Sequence, residues 1–203
     1  FKTALEKENA KGDWKPLWNG KDFSGFKFEF GNAGTENKGT FTVKDDTIKI
    51  SGKPAGYMVT EKSYSKFVLE YDWAFTRPAD LKDDSKFKAN SGCLIHVSEG
   101  PGIKVWPRSI EVQGMWHQAG LILPIPRNLK CKKTDDKEAR KKATKPVGEW
   151  NTNRIEVDGG DMKIFVNGLL ISTVSDCELT EGPIAFQSEG KELSLRNIRI
   201  IEN

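Results

Sequence analysis

From Phe41 onward, apolar and polar residues alternate with a period of two in short runs, and Gly, Asn and Asp stand between the runs. Successive side chains of a strand point to opposite faces, so this alternation predicts half-buried β-strands joined by tight turns. "FVLEYDWAF" puts Phe67, Leu69, Tyr71, Trp73 and Phe75 on one face and Glu70 and Asp72 on the other. "TFTV" and "TIKI" flank "KDD", predicting a hairpin over residues 40–50. "RIEV" and "MKIFV" flank "DGGD", and "VNGLLI" sets Asn167 and Gly168 where a type I′ turn needs positive φ. "ELSLRNIRII" reads as a last strand with an irregularity at Asn197.

Many short strands with almost no helical periodicity predict an all-β fold: a jelly-roll β-sandwich of two antiparallel sheets. No repeat and no Pro/Gly/Ser-rich linker divides the chain. Residues 1–13 read as an N-terminal tail and 14–203 as a single domain. One stretch breaks the pattern. Residues 117–148 read as a long loop excursion, with a short helix from about Asp135 to Ala143 capped by Thr134. Its eight basic residues between Lys130 and Lys145 are interspersed with Asp135, Asp136 and Glu138, which favours a solvated segment over a polyanion site. The apolar "GLILPIP" within it is a candidate wall for a site.

Composition changes the picture only at its margins. The 203 residues carry a net charge of +3 from 32 basic and 29 acidic side chains, so nucleic acid is not an expected partner. No apolar run is long enough for a membrane span. The first residues lack the apolar core of a signal peptide, and since the chain does not begin with Met, an export signal would have been removed before its start. Three cysteines fit no zinc spacing; Cys93 reads as a buried strand thiol, while Cys131 and Cys177 are candidates to pair in an oxidising compartment.

The candidate chemistry centres on two segments, "ANSGCLIHV" and "SIEVQG". If these are antiparallel neighbours, His96 and Glu111 fall side by side and make an acid/base pair, with Gln113 on the same face. Trp106 and Trp116 flank this region, and their rings suit the C–H faces of sugars while Asn, Gln, Glu and His suit the hydroxyls. Walker, dinucleotide, zinc-protease and nucleophile-elbow motifs are absent. No cofactor is implied; calcium is left open, since "KDD", "LKDD" and "DGGD" read as turns rather than a chelating run.

Taken in order, "LWNGKDFSGF", "NSGCLIHV", "KVWPRSIEVQ", "GEWNTNRIEV", "VNGLLI", "GPIAFQSEG" and "LRNIRI" resemble the family long called domain of unknown function 1080, now described as 3-keto-disaccharide hydrolases. The resemblance runs from about Trp14 to Asn203. It implies a concanavalin-like jelly roll, secreted or periplasmic in bacteria, whose concave face carries a sugar site. By matching position it implies Glu111, His96 and Glu189 as catalytic residues and Asn90, Gln113 and Arg196 as substrate-binding ones, beside the Trp106 and Trp116 that ring chemistry singles out. Many relatives carry Arg where this chain has His96, and "DHG" where it reads "SEG" at 188–190. The expected activity is cleavage of a 3-keto-glycoside: Glu111 or His96 takes the proton on C2, the other or Glu189 protonates the leaving oxygen, and Arg196 or Gln113 steadies the enolate. The alternatives are a non-catalytic carbohydrate-binding module and a protein-interaction domain using the basic excursion.

Overall fold

The computed structural model describes residues 13–203, so the expected tail lies almost wholly outside the described residues. Two antiparallel sheets face each other. The nine-stranded sheet runs in the order β10 (Lys132–Asp135), β13 (Leu169–Ser175), β12 (Asp161–Val166), β11 (Asn151–Asp158), β6 (Lys66–Phe75), β15 (Leu193–Glu202), β4 (Thr47–Ile50) and β3 (Phe41–Lys44), with β1 (Lys15–Pro16) added to β15. The six-stranded sheet runs β2 (Phe26–Glu29), β5 (Gly56–Thr60), β14 (Ala185–Ser188), β7 (Gly92–Ile103), β8 (Trp106–Gln113) and β9 (Ile122–Ile125). The architecture is a jelly-roll β-sandwich, as the alternation predicts.

The core between the sheets is filled from both sides by that alternation. Phe67, Leu69, Tyr71, Trp73 and Phe75 of β6 meet Cys93, Ile95, Ile110, Val112 and Phe186 of the facing sheet. Three polar side chains taken into this layer pair with one another: the Trp73 indole N–H donates to Asn153 Oδ1 at 2.9 Å, and the Asn153 amide donates to the Tyr71 hydroxyl at 2.9 Å. The turns follow the sequence reading. Asp45 and Asp46 both have φ near 50°, and Asn167 and Gly168 have φ of 47° and 84°, closing two-residue hairpin turns. Asn197 has φ 52° where the β15–β6 register shifts, which is the expected irregularity.

The excursion differs from the sequence reading. It is not a loop but supplies an edge strand to each sheet: β9 pairs with β8, and β10 pairs with β13. Pro124 within β9 is tolerated because an edge strand has only one neighbour to bond. The exposed lysines of β10 discourage pairing with other chains. The single α-helix of the described residues, α1 (Lys137–Ala143), is capped by Asp136, which accepts from the Ala139 N–H at 2.8 Å. Thr134 is not the cap; it lies in β10, where its hydroxyl bonds that of Thr173 across the strands.

Candidate functional site

The outer face of the six-stranded sheet is where buried polar groups collect. On β8, Glu111 is opposite Leu94 and Gln113 is opposite Gly92, while on β14 Ala185 is opposite Leu94. The period of two therefore sends Glu111, Gln113, Leu94, Ala185 and Gln187 outward while their neighbours fill the core. Leu94, Ala185, Tyr57 and Ile125 form a second, smaller apolar cluster on this outer side, with Val97, Val105 and Trp106 packed against it.

That cluster exists because the distal half of the β7–β8 hairpin bends over the sheet. The Val105 side chain reaches Gly31 at the far end of β2, 3.4 Å from where a Cβ on that glycine would stand. The bend is tight: a Cβ on Gly102 would lie 2.0 Å from the Trp106 carbonyl, so only glycine fits there. Under this arm Glu111 is 7% exposed, Gln113 4% and Gln187 1%. Glu111 and Gln187 meet above Gly92, where an added Cβ would be 2.4 Å from Gln187 Oε1 and 2.9 Å from Glu111 Oε1. Gly92 is thus a floor for two side chains that arrive from neighbouring strands.

The electrostatics are those of a carboxylate kept short of solvent. Burial, then the charge of Glu189, pushes the Glu111 carboxyl up to about 7, while Arg127 and the nearby Gln187 amide pull it partly back. Burial also raises Glu189, against a hydrogen bond from Asn90 and the charge of Lys104 on the hairpin arm. Asn90 forms backbone bridges with Glu189 and Gly190, so the two side chains are held together. Both amide atoms of Gln187, and Asn90 Oδ1, are buried without a hydrogen-bond partner in the protein. Gln113 is engaged, its Oε1 accepting from the Met115 N–H at 3.1 Å. Together these groups offer a titratable acid, a second carboxylate and unpaired amides to a polar ligand.

The structure brings Glu111, Gln113, Glu189, Asn90 and Trp106 to this face and leaves three predicted residues elsewhere. His96 does not stand beside Glu111. It has φ 55° at the point where the β7–β8 register shifts, so it turns inward after Ile95 instead of outward. Its ring lies edge-on to Phe67 of the opposite sheet at 6.3 Å, its Nδ1 bonds the Leu179 carbonyl at 3.2 Å, and burial lowers its pKa to about 4. Arg196 is on β15 of the other sheet, stacked 4.0 Å over Trp150 and bonded to Asp72 at 3.2 Å. Trp116 donates its indole N–H to the Lys145 carbonyl at 2.8 Å and lines a separate cleft of about 430 Å³ with Leu121 and Arg140.

Gln187, Arg127 and Lys104 were missed. Gln187 could have been found from its place two residues before Glu189 in "AFQSE", which gives it the same strand face. Arg127 and Lys104 come from a loop and a hairpin tip and carry no such signal. An open hollow of about 680 Å³ lies on the nine-stranded sheet and includes Trp14, Asp46, Glu70, Asp72 and Arg199. Glu70 and Asp72 there are bonded by Arg199 and by Arg196 and Asn197, so those carboxylates already have partners.

The fold and the roofed acid define a galectin-like β-sandwich with a polar site on one sheet. The chain belongs to the 3-keto-alpha-glucoside-1,2-lyase-like domain family, whose model matches residues 13–201. Solved structures of the same build include a candidate glycosyl hydrolase from Parabacteroides distasonis, 24% identical with a TM-score of 0.68, covering 100% of this chain and 98% of that one. A carbohydrate-binding module from Bacillus subtilis is 11% identical with a TM-score of 0.56, covering 88% of this chain and 96% of its own. A Bacillus subtilis protein with a galectin-like fold is 13% identical with a TM-score of 0.56, covering 94% of both chains. No curated protein sequence matches the chain significantly.

Proposed function

We propose that the chain cleaves the glycosidic bond of a 3-keto-glycoside by proton transfer between Glu111, Glu189 and the sugar. The observation that carries this reading is the buried Glu111 carboxyl, held near 7 beside a Gln187 amide that lacks partners. A carboxyl at that value is half protonated at neutral pH and serves as either acid or base. Glu189 is the less buried of the two, and the Asn90 hydrogen bond and the charge of Lys104 favour its carboxylate, which suits it to the base role and Glu111 to the acid role. A ketone at C3 acidifies the hydrogen on C2. Glu189 accepts that proton, the glycosidic oxygen on C1 leaves with the proton of Glu111, and water adds to the resulting unsaturated sugar. The unpaired Gln187 N–H groups donate to the enolate oxygen, and Gln187 Oε1 and Asn90 Oδ1 accept from sugar hydroxyls. His96 and Arg196 have no part in these steps, being turned into the core and to the other sheet. Substrate enters beside Asn90 and Glu189, which are only half-buried.

The test is a product assay by mass spectrometry on paired native and 3-keto disaccharides. Cleavage of the keto member alone supports the reading. Cleavage of native sugars alone would point to ordinary two-carboxylate hydrolysis, and binding without product to a carbohydrate-binding module.

A further inference from the structure

We propose that Cys131 and Cys177 form a disulfide that staples the excursion to the segment following β13. β10 and β13 pair with Lys132 opposite Ser175, a register that would leave Cys131 opposite Asp176. Asp176, however, has φ 52°. An extra residue in that conformation is a bulge and moves the register on by one. The next backbone bond confirms the shift: the Glu178 N–H donates to the Lys130 carbonyl at 3.1 Å, which aligns Glu178 with Lys130 and hence Cys177 with Cys131. The Lys130 N–H in turn donates to the Glu178 carboxylate at 2.9 Å.

The pair beyond a hydrogen-bonded pair in an antiparallel ladder is the close, non-bonded kind, with Cα atoms about 4.5 Å apart. That separation lies within the range of about 4.4–6.8 Å that a disulfide spans. Both thiols belong to one side: Cys177 is part of the main core, and Cys131 packs against it. Both are unbonded here. Cys131 is half-exposed, so it is the sulfur that an outside reagent reaches first.

Closure needs an oxidant, and a small disulfide such as oxidised glutathione supplies it. The Cys131 thiolate attacks one glutathione sulfur, expelling the other as a thiolate. Cys177 then attacks Cys131 and expels the second glutathione. The two chain thiols are oxidised, the glutathione disulfide is reduced to two thiols, and the two protons pass to them. Burial raises both cysteines, Cys177 to about 11, so uncatalysed closure is slow and favoured by alkaline buffer. The bond would also fix Glu178, whose carboxylate pairs with Arg108 at the base of the hairpin arm at 3.3 Å.

Incubating the folded full chain with oxidised glutathione at pH 8, then counting thiols in denaturant and weighing the intact chain, tests the staple. The expected result is one remaining thiol, that of Cys93, and a mass lower by two hydrogens. Cys93→Ser should still close, Cys131→Ser and Cys177→Ser should not, and the oxidised wild type should melt several degrees above its reduced form. Retention of all three thiols, a stable glutathione adduct without ring closure, or closure only in urea would overturn the proposal.

Discussion

The outer faces of the two sheets solve the problem of carrying charge in opposite ways. On the nine-stranded sheet the charges are paired laterally. Arg199 binds Glu70 and lies 4.5 Å over Trp14, while Arg196 binds Asp72 and lies 4.0 Å over Trp150. On the six-stranded sheet, Glu111 and Glu189 are taken under a hairpin arm with no ion pair to either of them among the described residues, and Gln187 is left without partners. A protein keeps buried polar groups unpaired only at a cost of about 1–3 kcal/mol each. Glu156 Oε2 and Ser172 Oγ of the nine-stranded sheet are also buried without partners, so the difference lies in clustering: on the six-stranded face three such atoms, both amide atoms of Gln187 and Asn90 Oδ1, gather beside those two carboxylates.

The sharpest test of this contrast is to neutralise one carboxylate on each face. Glu111→Gln is expected to cut turnover of a 3-keto-glycoside by at least ~100-fold, the usual contribution of a placed acid or base. Asp72→Asn on the other face should leave turnover within twofold while weakening its bonds to Arg196 and Asn197. Equal losses in steady-state assays of the two variants would erase the distinction. Gly92→Ala comes next. Its methyl would press on the side chains of both Glu111 and Gln187, so a loss of about 1–3 kcal/mol in urea unfolding is expected, together with lost turnover.

Much of this frame is legible in the sequence, because a period of two needs only neighbouring residues to be read. The alternation in "FVLEYDWAF" and the Asn167–Gly168 turn give strands and hairpins directly, and "SIEVQG" gives the outward Glu111 and Gln113. What fails is whatever depends on one φ angle or on distant chain. Strict alternation puts His96 outward, and its own positive φ reverses that. Arg196 follows from resemblance along the chain and Trp116 from its ring chemistry, and neither says which part of the fold the residue joins. The excursion looked like loop because its two strands are four residues each and one contains proline, too short for periodicity to show.

Glu111 and His96, both buried, predict opposite pH dependences of stability. Glu111 has its folded pKa raised from 4.5 to about 7, so its stabilising protonated form is fully present below 4.5 and its contribution is lost as pH rises to 7. Glu111→Gln should therefore gain stability over wild type at pH 8, by up to about 3 kcal/mol, and gain nothing at pH 4. His96 is lowered from 6.5 to about 4, so the neutral ring favours the fold above 6.5 and that contribution is lost as pH falls to 4. His96→Asn, which tolerates positive φ, should flatten denaturation midpoints between pH 6.5 and 4 without shifting the alkaline side. Parallel curves for wild type and variant in either window would remove the corresponding group from the account.

The smallest effect belongs to the paired face. Trp150→Ala removes the ring under Arg196, and a cation–π contact at a partly exposed site is worth about 0.5–1 kcal/mol. The guanidinium keeps Asp72, so its charge remains balanced after the ring is gone. A drop of that size in unfolding free energy with unchanged turnover is expected, because lateral pairing spreads each charge over several partners and no one of them is decisive. On the six-stranded face the same reasoning runs the other way: Glu111 has no surplus partner, so removing its charge changes chemistry and stability together. A Trp150→Ala variant that lost turnover as Glu111→Gln does would show that the two faces act as one site.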